Sequence, residues 1–155
     1  MTLSIKPLTS DTWSDLADLF GEKGACGGCW CMWWRLTSAE FEKGKGEGNR
    51  QALRRLVDAG TVPGLLAFEG KRPIGWCALA PRTELRRLER SRILAPVDDQ
   101  PVWSIVCFFV AKEYRQTRVS GRRRALSCAV QSEAAATIDS GLGVVPGLSD
   151  IEVDR

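Results

Sequence analysis

The sequence predicts an α+β fold: a mainly antiparallel central sheet with helices packed against it. Three observations point there. Residues 102–110, Val-Trp-Ser-Ile-Val-Cys-Phe-Phe-Val, are too continuously apolar for a half-exposed strand and read as a fully buried one. Two further apolar runs, 64–68 and 73–79, are separated by Glu69-Gly-Lys-Arg72, the signature of a tight hairpin. Helical spacings, by contrast, are concentrated ahead of these strands, at Trp13, Leu16, Ala17 and Phe20 and again at Ala52, Leu53, Leu56 and Val57.

Taken in order, residues 3–8 form a short first strand. Ser10 is placed to cap a helix running to Phe20, which Gly21 and Gly24 end. A Gly/Cys/Trp segment follows, Gly24-Ala-Cys-Gly-Gly-Cys-Trp-Cys-Met-Trp-Trp-Arg35. Thr37 and Glu40 have capping-box spacing for a short helix. Asn49 is placed to cap the next helix, through Ala59 to a stop at Gly60. The hairpin comes next, and residues 82–93 make a basic helical or irregular excursion. Pro96, Asp98, Asp99 and Pro101 turn the chain into the long strand, and a helix is expected over 120–138. The order β-α-α-β-β-β-α belongs to the α+β class, with no internal repeat.

The 155 residues suit one domain with a real core. A net charge of +3, from 22 basic and 19 acidic side chains, is too mild to imply a nucleic-acid partner. No apolar stretch approaches the roughly 20 residues that span a bilayer. The first residues lack the apolar core of a signal peptide. We therefore expect a cytoplasmic protein with neither nucleic acid nor membrane as partner.

Histidine is absent, which removes Ser-His and Cys-His nucleophilic catalysis and histidine-ligated metals. Cys26, Cys29 and Cys31 form C-x2-C-x-C. Structural zinc takes four ligands, and Cys128 is the remaining distant thiol, so no metal is expected. A redox pair lacks its thioredoxin-like context. The segment reads instead as a loop packed beside a pocket, and Cys77 and Cys107 as small apolar residues inside strands. Trp30, Trp33, Trp34 and Trp76 either line a substrate pocket, stacking on an amine, or build the core; the pattern allows both. Arg82, Arg86, Arg87, Arg90 and Arg92 read as a solvated face interleaved with Glu84 and Glu89.

The strand at 102–110 runs at once into Glu113-Tyr-Arg-Gln-Thr-Arg-Val-Ser-Gly121. Strand, cationic turn, helix is a common way to hold a phosphate on backbone N–H groups. This pairing and the element order resemble the GNAT superfamily of acyl-CoA-dependent N-acetyltransferases. Gly28-Cys-Trp-Cys-Met-Trp-Trp-Arg35, Pro73-Ile-Gly-Trp-Cys77, Leu88-Glu-Arg-Ser91 and the 102–110 strand resemble a bacterial branch of it, over roughly residues 3–120. The resemblance implies acetyl-CoA as cosubstrate and transfer of its acetyl group to a primary amine of a small molecule or peptide. It implies that Phe108, Phe109 and Val110 line the cofactor. Arg115, Gln116, Thr117, Arg118, Val119, Ser120 and Gly121 would wrap its pyrophosphate.

Two departures bear on this. Arg118 stands where the family has glycine; its side chain either crowds the phosphates or adds charge-assisted bonds to them. Arg122, Arg123 and Arg124 are further candidates for the CoA 3′-phosphate. All twelve aromatic residues lie at or before Tyr114, and the stretch after Ile138 is loosely patterned. We therefore expect a GNAT-like domain over 1–138 and a divergent tail over 139–155, with the C-terminal third incomplete, remodelled or read in a shifted frame. The alternative function is a catalytically impaired binding or relic protein. Without histidine, the base is a carboxylate or water, with Glu89 and Glu113 the candidates and Tyr114 assigned to fixing the turn. A sheet edge left open favours association, so a homodimer is expected.

Overall fold

In a computed structural model, which describes residues 3–115, these residues form an antiparallel four-stranded sheet in the order β1-β2-β3-β4. The strands are β1 (Leu3–Pro7), β2 (Gly64–Glu69), β3 (Arg72–Pro81) and β4 (Trp103–Val110). The helices are α1 (Trp13–Phe20), α2 (Ser38–Lys43), α3 (Glu47–Asp58), α4 (Arg86–Glu89) and α5 (Lys112–Arg115). The α+β expectation is met. The expected 120–138 helix, the 139–155 tail, Arg122, Arg123, Arg124 and Cys128 lie outside the described residues.

The hairpin turn between β2 and β3 consists of Gly70 and Lys71, with Gly70 at φ 61°. Glycine in the first central position gives a turn whose twist matches that of the strands. Two bulges then bend the sheet. Ala67 faces Gly75 while Phe68 faces Pro73, so Ile74 is an extra residue in β3. Ala78 faces Cys107 while Leu79 faces Ile105, so Val106 is extra in β4. A bulge inverts the alternation of side chains beyond it. Val106, Cys107 and Phe109 consequently pack on the helix-bearing face, and Trp103 on the opposite one.

On the first face Leu66, Phe68, Trp76 and Ala78 meet Leu16 and Phe20 of α1, Phe41 of α2, and Leu53 and Val57 of α3. Leu3, Ile5, Leu65, Ala67, Ile74, Cys77 and Leu79 form a separate cluster on the other. Buried aliphatic and aromatic side chains of this kind each contribute about 1.5–3 kcal/mol.

Helix starts differ from expectation in two places. α1 begins at Trp13, not after Ser10, because the Thr12 hydroxyl folds the preceding turn: it donates to Pro7 O (2.9 Å) and accepts from Thr9 N–H (3.0 Å). Asn49 is no cap either. It lies inside α3, fully buried, and its Nδ2 donates to the carbonyls of Gly28 (3.1 Å) and Phe41 (3.4 Å). Gly46, at φ 85°, precedes α3 instead. The capping box of α2 is present in both halves, Glu40 N–H to Thr37 Oγ1 and Thr37 N–H to Glu40 Oε2.

The basic 82–93 excursion folds as a short 3-10 turn (Arg82–Glu84) and α4, and five of its side chains are engaged within the protein. Glu84 pairs with Arg35 at 3.0 Å, Arg86 with Glu40 at 3.1 Å and Arg82 with Glu89 at 2.9 Å. The Arg87 guanidinium covers the ring of Trp33 at 3.6 Å, and its Nε donates to Leu36 O.

Removing the Asn49 amide takes the donor from the inward-facing Phe41 carbonyl, leaves Gly28 O with Gly46 N–H alone, and opens a gap in the buried face of α3. Asn49→Ala is expected to destabilise the fold by about 2–3 kcal/mol, whereas Thr37→Ala at an exposed cap costs about 1 kcal/mol. Denaturant midpoints of the two variants, side by side, check that ranking.

Candidate functional site

The end of β4 and the short helix α5 bring together part of the expected cofactor strand and turn. Phe109 meets Phe20 edge-on at 5.4 Å, and the Arg115 guanidinium lies over Phe109 at 4.8 Å. Arg115 Nε also donates to the Val110 carbonyl. Val110 packs on the opposite face with Tyr114, and Phe108 is half exposed. Gln116, Thr117, Arg118, Val119, Ser120 and Gly121, the rest of the expected pyrophosphate turn, lie outside the described residues.

The two candidate carboxylates are far apart. Glu113 pairs with Arg72, the first residue of β3, and Glu89 with Arg82, just past its last residue. The length of β3 and β4 separates these ends, roughly 25 Å at 3.3 Å per residue. Tyr114 donates to Glu69, which raises its phenol above the usual value and ties α5 to the β2–β3 hairpin.

The four tryptophans divide between core and surface. Trp76 is 2% exposed and Trp30 5% exposed, whereas Trp33 is 44% exposed. Trp33 is clamped between Arg87 and Phe41, and Trp34 packs beside Leu85 and Leu88. Trp30 stacks on Trp13 at 6.1 Å and also lines a cavity of about 410 Å³ with Asp18, Glu22, Glu47 and Arg50. Arg50 itself lies over the Trp30 ring at 5.4 Å and pairs with Glu47 at 3.4 Å, so Asp18 and Glu22 are the carboxylates left to attract a protonated amine.

The Gly/Cys/Trp segment has an unusual backbone. Gly24, Ala25, Gly27, Gly28, Trp30 and Cys31 all have positive φ. Trp30 (43°) and Cys31 (55°) are not glycine, so this geometry costs about 1–2 kcal/mol at each. Glycine is required at both ends of the tight part. A Cβ on Gly24 would lie 2.2 Å from Trp30 Nε1, and one on Gly28 would lie 2.5 Å from the backbone N of Gly46.

The turn places three thiols together. Cys31 is hydrogen-bonded to both Cys29 and Cys107, and its sulfur accepts the Trp76 indole N–H at 3.0 Å. In its thiol form Cys29 donates to Gly24 O at 3.7 Å. The bond from the Cys31 thiol, helped by backbone N–H groups of the loop, outweighs burial and lowers Cys29 to about 5. Cys107 is lowered for the same first reason, and Cys31 is raised because its proton is held by whichever neighbour it bonds, Cys107 or Cys29, and because it is buried. One S–H carries one proton, so Cys31 stabilises one neighbouring thiolate at a time. Among the described residues no group of three or more His, Cys, Asp or Glu is arranged to hold a metal ion.

Cys77 behaves as the sequence suggests, buried on the other face with burial pushing its thiol up to about 12. Cys107 does not: it is half-buried and bonded to Cys31. Spacing carries no signal for that contact, because it depends on the bulge at Val106 and on how the loop docks.

No family model and no curated protein matches the chain. Among solved structures it is similar to a GCN5-related N-acetyltransferase from Ralstonia eutropha JMP134, at 15% identity and a TM-score of 0.47, over 90% of this chain and 78% of that one. It is also similar to histone acetyltransferase HPA2 and related acetyltransferase from Corynebacterium glutamicum ATCC 13032. There the identity is 17% and the TM-score 0.43, over 98% of this chain and 93% of that one.

A thiol lowered to about 5 stays ionised as pH falls through neutrality. Alkylation of Cys29 by iodoacetamide should therefore hold its rate from pH 8 down to 6 and fall to half near pH 5. Cys31→Ala removes the leading donor and should move that midpoint upward. An inflection at the ordinary cysteine value of about 8.5 in the unaltered protein would contradict the hydrogen-bonded arrangement.

Proposed function

We propose that the protein is an N-acetyltransferase that moves the acetyl group of acetyl-CoA to a primary amine of a small molecule or peptide. The observation that carries this reading is the placement of Arg115 on Phe109 and Val110. A cation from the start of the phosphate turn thereby meets two residues that the sequence resemblance assigns to the pantetheine arm. The resemblance supplies the activity, and this juxtaposition supports it. The acidic, indole-lined cavity beside Trp30 favours an amine as the acceptor.

The chemistry asks little of the protein beyond positioning. The amine, once deprotonated, attacks the thioester carbonyl. The tetrahedral oxyanion collapses, the C–S bond breaks, and coenzyme A leaves as a thiolate that takes up a proton. Backbone N–H groups are the natural donors for such an oxyanion. Glu89 and Glu113 are each ion-paired, and the strand length between them means they cannot share one site, so water is the simplest proton acceptor.

Calorimetric titration with acetyl-CoA is the direct test. Micromolar or tighter binding, with coenzyme A released when primary amines are added, supports the enzyme. Absence of binding leaves the impaired, non-catalytic protein. Arg115→Ala should weaken binding about tenfold or more, the equivalent of losing one charge-assisted contact. We further propose a homodimer; a monomeric mass by light scattering across a wide concentration range would rule it out.

A further inference from the structure

Three of the cysteines form a connected chain running from the protein surface to the sheet. Cys29 is half-buried in the glycine-rich loop, Cys31 is buried two residues on, and Cys107 comes from β4, opposite Ala78 of β3. All three belong to the helix-side core, and the Trp76 indole holds the sulfur of the middle one. Cys77, sealed in the opposite cluster, shows how a purely packing cysteine sits in this fold.

We propose that Cys29, Cys31 and Cys107 form a thiol relay that a hydroperoxide oxidises, ending in a Cys31–Cys107 disulfide that ties the loop to β4. Cys29 is the entry point because it is partly exposed in the loop, with loop N–H groups around its sulfur, whereas Cys107 is held within the paired strand β4. Its thiolate attacks the outer oxygen of the hydroperoxide. The O–O bond breaks, the alcohol (water, for hydrogen peroxide) leaves with a proton, and Cys29 becomes a sulfenic acid. The Cys31 sulfur then attacks the Cys29 sulfur. The S–O bond breaks and water departs with the Cys31 proton, leaving a Cys29–Cys31 disulfide. Finally the Cys107 sulfur gives up its proton to solvent, attacks the sulfur of Cys31 and expels Cys29 as the thiolate. The more acidic thiol is the better leaving group, and backbone N–H groups of the loop remain to receive its charge. In sum, two thiols and one hydroperoxide give one disulfide, one alcohol and one water, and Cys29 is regenerated. A dithiol reductant returns the protein to its starting state.

The proposal stands apart from the acetyltransferase reading, and its test measures no acetyl transfer. The reduced full-length protein is treated with a small excess of hydrogen peroxide, then weighed intact and digested without reduction. The expected product has lost two hydrogens, yields a Cys31–Cys107 linked peptide, and reverts with dithiothreitol. Cys107→Ser should stop at the Cys29–Cys31 disulfide. Cys29→Ser should slow bridge formation at least about tenfold, since the sulfenic acid that Cys31 attacks can no longer form beside it. A bridge to Cys26, Cys77 or Cys128 would overturn the relay. So would a Cys29 sulfenic acid that dimedone traps in the unaltered protein with no bridge forming, a result that depends on no variant folding.

Discussion

The helical face of the sheet is assembled through the side-chain amide of Asn49. Its two N–H donors reach a carbonyl of the glycine-rich loop and a carbonyl of α2 from inside α3, joining three segments through one side chain. Buried carbonyls without donors carry the full cost of lost hydration, so each of these segments needs that amide in order to pack. Gly28 O also accepts from Gly46 N–H at 3.0 Å, which fixes the loop on the N-terminal end of α3. Trp76 takes hold of its other end through Cys31. Between these anchors Trp30 lies against Gly24 and stacks on Trp13, whose own ring is covered by Arg54.

The second constraint is the extra residue in β4. Were Val106 paired regularly instead of bulged, strict alternation would turn Ile105 and Trp103 to the same side as Cys107 and Phe109. With it, Phe109 and Cys107 face Phe20 and Cys31 while Trp103 serves the opposite cluster. One inserted residue thus lets a single strand furnish an aromatic to the α1 contact, a thiol to the loop and an indole to the far face. The glycine-rich loop and the strand are coupled for that reason, although some 75 residues of chain lie between them.

Much of the architecture was legible in the sequence, because local chemistry determines it. The two-residue turn at Gly70, the Thr37–Glu40 capping box and the existence of the long apolar strand each depend on residues within a few positions of one another. The strand's expected full burial is not found, because among the described residues β4 is an edge strand with Ile105 and Phe108 exposed. The errors came where distant chain competes for a local signal. Ser10 and Asn49 have capping chemistry, yet Thr12 spends its hydroxyl on the preceding turn and Asn49 is drawn inward by the loop. The arginine-rich 82–93 segment has the look of a solvated face; Arg87 instead stacks on Trp33, a partner more than fifty residues away. The site divides in the same way. Phe109, Val110 and Arg115 are neighbours in sequence and also meet in space through Arg115, whereas Cys107 and Cys31 meet only because two strands and a loop find a particular register. Glu89 and Glu113 illustrate the converse: both flank the sheet, and antiparallel pairing sends them to opposite ends.

The connectivity of the sheet also sets the order in which it can assemble. β2, β3 and β4 form a meander in which the first two strands are separated by only two residues, so their pairing closes short loops and costs little chain entropy. β1 joins the same sheet by pairing Pro7 with Leu65, which closes residues 8–64 in one step, with α1, the glycine-rich loop, α2 and α3 all inside that loop. Contacts of such long range are late and slow to form. The meander is therefore the natural nucleus, and the N-terminal strand seals the sheet only after the helices and the loop have condensed onto it.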